Sequence, residues 1–488
     1  MRGPRMIGAL ERPLKGGGDL PFRRASSITT PSIVQSAASH DSISWAKAPT
    51  RAPLRAAEPR EHTPRSAAHA SPLSILPLSA VLRSLVINSI SCSPLLLPSS
   101  LSIMSRLAHS TSPLLSPDRN PLLRWLLKRT VYAQFCAGES PDEVRRTVSG
   151  LQAMGYRGVI LAYAKETVIE HQHAVDVQPP PTTTASVVVP NEIDEWKKGT
   201  QETVKMAAEG DYVAIKFTGA GSQTMFHLSQ GLPPPPVLDQ AMHELCQLAS
   251  VRRVTLIIDA EQHAVQAAID QWAVALMRRY NQAPGKATVC NSYQAYLKAT
   301  PSVLAQHLSI AQRAGFTLGV KLVRGAYMAS DPRYIFNDTK AQTDEQYDGL
   351  VSSLMRTVFT PVLPNPPGHD GSFPRVELVL ASHNQVSIRK AQEMRRSQSA
   401  AGRPIVNVAY AQLLGMADNI SCELLQAGRD AASGELPQVY KYVVWGSTAQ
   451  CLKYLYRRAV ENRDAVTRTR DVRNALAQEL WRRIRRGV

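Results

Sequence analysis

Cysteine is scarce in this chain of 488 residues, and no two of its six cysteines stand in C-x-x-C spacing. Positions 92, 136, 246, 290, 422 and 451 are too scattered for a zinc site or a disulfide framework, so they read as structural thiols. No serine sits in G-x-S-x-G, and no His/His/carboxylate trio has metal spacing, which argues against the common hydrolase designs. The first strand-like run is not followed by G-x-G-x-x-G, the phosphate turn of a doubly wound sheet. No apolar run reaches the roughly 18 residues a membrane span requires. Residues 72–104 are rich in Leu, Ile and Ser, but Pro77, Arg83, Pro94 and Pro98 interrupt them. Peripheral membrane contact stays open.

Acids are sparse at both ends. Residues 1–110 hold 13 Lys/Arg against 5 Asp/Glu, and from Arg463 onward there are eight Arg against three acids. The net charge of +17 therefore leaves about +4 for the middle. An Arg-, Ser-, Ala- and Pro-rich start with few acids reads as a mitochondrial transit or disordered region over 1–110. Without a zinc finger, a zipper or interleaved stacking aromatics, the C-terminal arginines do not read as a nucleic-acid site.

From about residue 150 short β-rich apolar runs recur. They are Gly158–Ala164, Tyr212–Thr218, Val254–Ala260, Thr288–Tyr293, Leu318–Val323, Val376–Ala381, Ile405–Ala409 and Val439–Val444. Several are apolar almost throughout, as strands covered on both faces should be. Helix-like stretches separate them, among them Ala264–Tyr280 and Gln385–Ser397. Eight strand–helix alternations predict a (β/α)8 barrel over 158–488, with capping helices over 111–157. The Thr/Pro-rich stretch 172–192 reads as a surface loop.

In such a barrel the chemistry sits where strands end. The ends here are polar: Lys216, Asp259, Gln294, Lys321, Ser382-His383-Asn384, Gln412 and Tyr442. Beyond them Tyr454, Arg457, Arg458 and Glu461 fall at i, i+3, i+4 and i+7, one face of a helix. Leu452, Leu455, Tyr456 and Ala459 form a second, packing face. Paired guanidiniums can grip a small carboxylate by forked hydrogen bonds. The set suits a large polar cofactor beside a small acid.

Lys321-Leu322-Val323-Arg324-Gly325-Ala326-Tyr327, Ser382-His383-Asn384, Asp259-Ala260-Glu261 and Tyr454-Leu455-x-Arg457-Arg458-x-x-Glu461-Asn462 resemble the motifs of the proline dehydrogenase family in its eukaryotic mitochondrial form. The resemblance runs from about residue 120 to the C-terminus. It implies an FAD enzyme on a (β/α)8 barrel that oxidises L-proline and passes electrons to quinone at the inner mitochondrial membrane. It implies that Arg457 and Arg458 grip the substrate carboxylate. Tyr442 and Tyr454 would wall the ring, with Leu322 and Tyr327 nearby and Lys216 and Asp259 below. Asp259, Gln294, Lys321, Val323, Gly325, Ala326, His383, Asn384, Gln412, Arg458 and Glu461 would hold FAD. Lys321 stands where bacterial relatives carry arginine. A hydroxyproline dehydrogenase and a catalytically silent FAD-binding paralogue are the alternatives.

Overall fold

The computed structural model describes residues 71–110, 112–165, 192–430, 436–461 and 466–487. Residues 1–70 of the expected leader, and all but the end of the 172–192 loop, lie outside them.

Nine parallel strands make one sheet: β1 (Cys136–Gly138), β2 (Gly158–Tyr163), β3 (Tyr212–Ile215), β4 (Thr255–Ile258), β5 (Val289–Gln294), β6 (Leu318–Val323), β7 (Val376–Ala381), β8 (Asn407–Leu413) and β9 (Gln438–Trp445). Strands β2 to β9 pair in sequence, and β9 pairs with both β8 and β2, which closes an eight-stranded barrel. β1 adds to the end of β9, at Val444 and Trp445. A closed barrel leaves no open sheet edge.

Alternation along each strand divides the core in two. Val159, Leu161, Val213, Leu256, Val320, Leu322, Leu378 and Val443 point outward and pack under the helices. Ile160, Ala162, Ala214, Ile257, Cys290, Val379, Ala409 and Tyr442 fill the barrel. Small residues in the upper barrel leave room at its mouth. The helices have local causes: Ser140 caps Pro141–Met154 by accepting from the Glu143 N–H, and left-handed Gly155 ends it.

Three boundaries differ from the sequence reading. β8 runs over Asn407–Leu413 rather than Ile405–Ala409, because Ala409 and Ala411 are small interior positions that a hydrophobic count undervalues. β1 interrupts the expected capping helices with only three residues. Residues 72–109, read as part of an unstructured leader, form a 3₁₀ turn and the helices Leu78–Cys92 and Leu96–His109. Their prolines sit where helices tolerate them: Pro77 at a cap, Pro94 between the two helices and Pro98 in a first turn. Val81 is buried with Leu476 of the C-terminal helix Val466–Arg486, and Ala108 with Leu452 of the helix Thr448–Glu461.

Candidate active site

One layer of side chains crosses the barrel near the strand C-termini. Lys216 follows β3, Asp259 follows β4, Lys321 lies on β6 and Tyr442 on β9. Lys216 Nζ stands 2.6 Å from Asp259 Oδ2, Lys321 Nζ 2.5 Å from Oδ1, and the Tyr442 hydroxyl donates to Oδ2 at 2.8 Å. The Lys321 ammonium also lies over the Tyr442 ring, 5.1 Å from its centre. Burial alone would raise the Asp259 carboxyl. The two ammonium groups overcome that and hold it well below the usual carboxylate range. Burial, followed by the Asp259 charge, pushes the Tyr442 phenol upward, so it stays a donor. Burial, the largest influence, lowers Lys321; Asp259 opposes it, and the neighbouring cations Lys216 and Arg458 lower it further.

The helix Thr448–Glu461 brings the arginine pair to this layer. Cys451, Leu452 and Leu455 are buried behind it. Arg457 lies over the Tyr327 ring at 5.5 Å and Arg458 over Tyr454 at 5.8 Å. Both reach Glu461 Oε1, at 3.4 and 2.7 Å. Two acids from outside the helix cap its start: Thr448 N and Oγ1 donate to Glu139 at 2.8 and 2.6 Å, and Ala449 N to Asp118 at 3.1 Å. Negative charge there suits the helix dipole. Burial would raise Glu139, but Arg124, Thr448 and Lys128 bring it down to about 2. The sequence reading missed Asp118 and Glu139, because their distance along the chain from Thr448 hides the capping.

A second group lines one side of the mouth. Gln294 accepts from the Ala326 N–H at 3.4 Å and donates to the Glu261 carbonyl at 3.2 Å. Gly325 has φ +143°, and a Cβ there would stand 2.2 Å from the Tyr296 ring, so the loop after β6 needs a glycine. His383 Nε2 accepts from the Leu413 N–H at 3.1 Å, which puts the ring proton on Nδ1. Asn384 caps the helix Gln385–Ala400, and its amide reaches Asp344 at 3.3 Å. Val323 pairs with Gln294 and Ala381 on this side.

Two expected residues are not in the mouth. Leu322 is fully buried in the outer, strand–helix layer, because its neighbour Lys321 points inward. Gln412 also points outward, donating to the Ser382 carbonyl at 3.4 Å and accepting from the Ser421 hydroxyl at 2.9 Å. Leu413, one residue on, packs with the interior cluster that holds Tyr442 and Tyr454, and it pairs with Tyr442 in register. Leu413, rather than Leu322, is the leucine that faces the barrel interior here. The alternation from Ala409 and Ala411 was the signal for it. Ser292, a polar strand-end residue to which the sequence reading assigned no role, also belongs to this interior layer. It is level with Lys321, and its buried hydroxyl has no hydrogen-bond partner among the described residues.

A family model described as proline dehydrogenase matches residues 144–471. A Schizosaccharomyces pombe protein named "Probable proline dehydrogenase, mitochondrial" is 30% identical over 407 residues, covering 75% of this chain and 81% of that protein. A Bos taurus "Hydroxyproline dehydrogenase" is 30% identical over 398 residues, covering 74% and 82%. Among solved structures, proline utilization A from Bdellovibrio bacteriovorus superposes with a TM-score of 0.53 at 16% identity. That match covers 80% of this chain but 38% of the bacterial one, and it is a likeness of fold. With the family pattern spanning most of the barrel, and a fungal relative aligned over most of both chains, this chain belongs to the proline dehydrogenase family of oxidoreductases.

Proposed function

We propose that this protein oxidises L-proline to 1-pyrroline-5-carboxylate with bound FAD, and that its electrons pass to quinone at the inner mitochondrial membrane. The observation that carries this reading is the cationic mouth. Lys216 and Lys321 converge there on Asp259, and Arg457 and Arg458 on Glu461. Four cations gathered at one mouth suit an anionic ligand, and the Arg457–Arg458 face suits a small carboxylate. The compartment rests on the mitochondrial names of fungal, nematode and insect relatives.

The residues fit a flavin. The Ser292 hydroxyl is buried beside Lys321 without a partner, a buried amide (Gln294) adjoins it, and the Gly325 backbone packs too tightly for a side chain. Gln294, Lys321, Val323, Gly325, Ala326 and His383 would hold the group. Bound FAD supplies the hydride acceptor for the ring carbon next to nitrogen. The protein's part is positional and electrostatic. Arg457 and Arg458 hold the carboxylate, while Tyr442, Tyr454, Tyr327 and Leu413 enclose the ring. The nearby cations favour the neutral amine, the form that can donate hydride.

The test is the visible spectrum of the purified full chain before and after L-proline, without oxygen. A flavin spectrum that bleaches supports both cofactor and substrate. A flavin that stays oxidised points to an analogue or to a silent paralogue, and a folded but colourless protein overturns the cofactor. Hydroxyproline is the second reading, because the bovine relative matches as well as the fungal one. Relative kcat/KM on the two substrates decides between them.

A further inference from the structure

The largest feature that the active site does not use is an apolar surface near the N-terminus. Among the described residues, 22 large apolar side chains are exposed, and 11 of them fall between residues 78 and 126. That concentration separates the stretch from an ordinary surface, where exposed apolar groups are scattered singly. Leu114 and Leu122 are the most open of the later group, 77% and 74% exposed, with Trp125 and Leu126 on the helix Pro121–Leu127 beside them. Ile103 continues the face on the helix Leu96–His109, which packs with Pro121–Leu127 through Met104, Leu107 and Leu123.

The charges of this segment are nearly all basic, and two of them, Arg124 and Lys128, pair with Glu139 and Glu143. Residues 78–132 contain six Lys/Arg and a single acid, Asp118. Asp118 is committed to the start of the arginine-bearing helix, where it accepts from Ala449 N and Ser447 Oγ. Arg106, Arg119 and Arg129 are exposed at the rim, and Arg129 stacks on Trp125 at 5.2 Å. An apolar face with tryptophan and arginine at its edge matches the border between headgroups and acyl chains. Crossing the bilayer is a poorer fit. No single described helix is long and apolar enough, and the pair Leu78–Cys92 and Leu96–His109, which together would be, is bent by 105°.

We propose that the helices Leu96–His109 and Pro121–Leu127, with Leu114 and Leu115 between them, are a docking face for an anionic lipid surface. The inference deepens the membrane part of the proposed function, and it is read by binding rather than by turnover. The face lies beside the active site: Ala108 packs on Leu452, and the His109 ring meets Tyr456 at 5.6 Å, both partners belonging to the arginine-bearing helix. Docking there would bring the barrel mouth close to a lipid-dissolved electron acceptor.

The experiment is co-sedimentation of the full chain with phosphatidylcholine vesicles, with and without phosphatidylglycerol, at low and high salt. Binding should need the anionic lipid and weaken as salt screens the arginines. The double substitution Leu122→Asp and Leu126→Asp should lower partitioning by about tenfold or more, since two leucines leave the interface. Its turnover with a soluble dye acceptor should be unchanged. Trp125→Ser is the milder companion if the double variant misfolds, and it should weaken binding in the same direction. Equal binding by wild type and both variants would overturn the assignment, as would no binding by the wild type. A wild-type oligomer that the substitutions dissociate, without vesicle binding, would assign the face to a second copy and overturn the lipid proposal.

Discussion

Asp259 and Asp270 belong to one strand–helix unit, yet burial ends differently for each. Asp259, at the end of β4, touches two ammonium groups and a phenol, and its carboxyl is held well below the usual range. Asp270, on the helix His263–Tyr280, accepts only from the carboxamides of Gln266 and Asn291. Burial dominates there and raises it to about 6. Desolvation pushes both the same way, and only full charges reverse it. A buried ionised cluster is no bargain for stability compared with apolar packing. At the strand ends such a cluster suits a ligand-binding role better than a stabilising one.

Breaking the charged member of this pair should have the largest effect. Asp259→Asn removes the carboxylate shared by Lys216 and the buried Lys321. The expected cost is about 3–5 kcal/mol of stability, read by denaturant unfolding, together with loss of proline turnover. A variant as stable as the parent would mean that the lysines release their protons instead. Arg457→Met should come next. Truncating one carboxylate-binding cation costs about 2–5 kcal/mol, so KM for proline should rise by some thirtyfold to a few thousandfold while the flavin spectrum persists. A normal KM would remove Arg457 from the substrate site.

Glu139 extends the comparison to a carboxylate that cations lower at a helix start. Glu139→Gln should cost about 1.5–3 kcal/mol at neutral pH, the worth of a hydrogen bond to a charged group. Because its folded pKa is depressed, that contribution is present above the ordinary value of 4.5 and is lost as pH falls toward about 2. Unfolding curves of parent and variant should therefore converge in acid.

Asp270→Asn should have the smallest effect at low pH, with the opposite pH dependence. A raised carboxyl keeps its proton in the fold, so the parent loses stability as pH rises from the ordinary 3.8 through about 6. The substitution should flatten stability across that window, with about 1 kcal/mol or less at stake at low pH. A parent with no slope there would show that Asp270 titrates normally.

Much of the fold was legible from local pattern. Runs such as Leu318–Val323 and Val376–Ala381 are apolar except for Lys321 and Glu377 because both faces are covered, and the structure has strands at those residues. The helices at 72–109 were harder to read. Their serines and prolines resemble those of a leader, and helix formation there depends on packing against Leu452 and Leu476, far along the chain. Lys216, Asp259, Lys321 and Tyr442 could each be named from motifs, and the structure brings them into contact. Their hydrogen bonds could not be named, since those depend on how neighbouring strands pair.

Leu322 and Leu413 show where the division lies. Either leucine, taken from the sequence, is an apolar residue near the end of a strand beside polar neighbours. Side chains alternate with a period of two, so one residue of register decides between the mouth and the helix layer. Amino-acid order by itself determined the eight-fold strand–helix alternation, the polar strand ends and the arginine-bearing helix, because these depend on periodicity within one element. Only the tertiary structure decided which side chains face the mouth, how two lysines come to share Asp259, and that Asp118 and Glu139 cap a helix more than 300 residues away. Those relations join segments distant along the chain, and barrel closure is what brings them together.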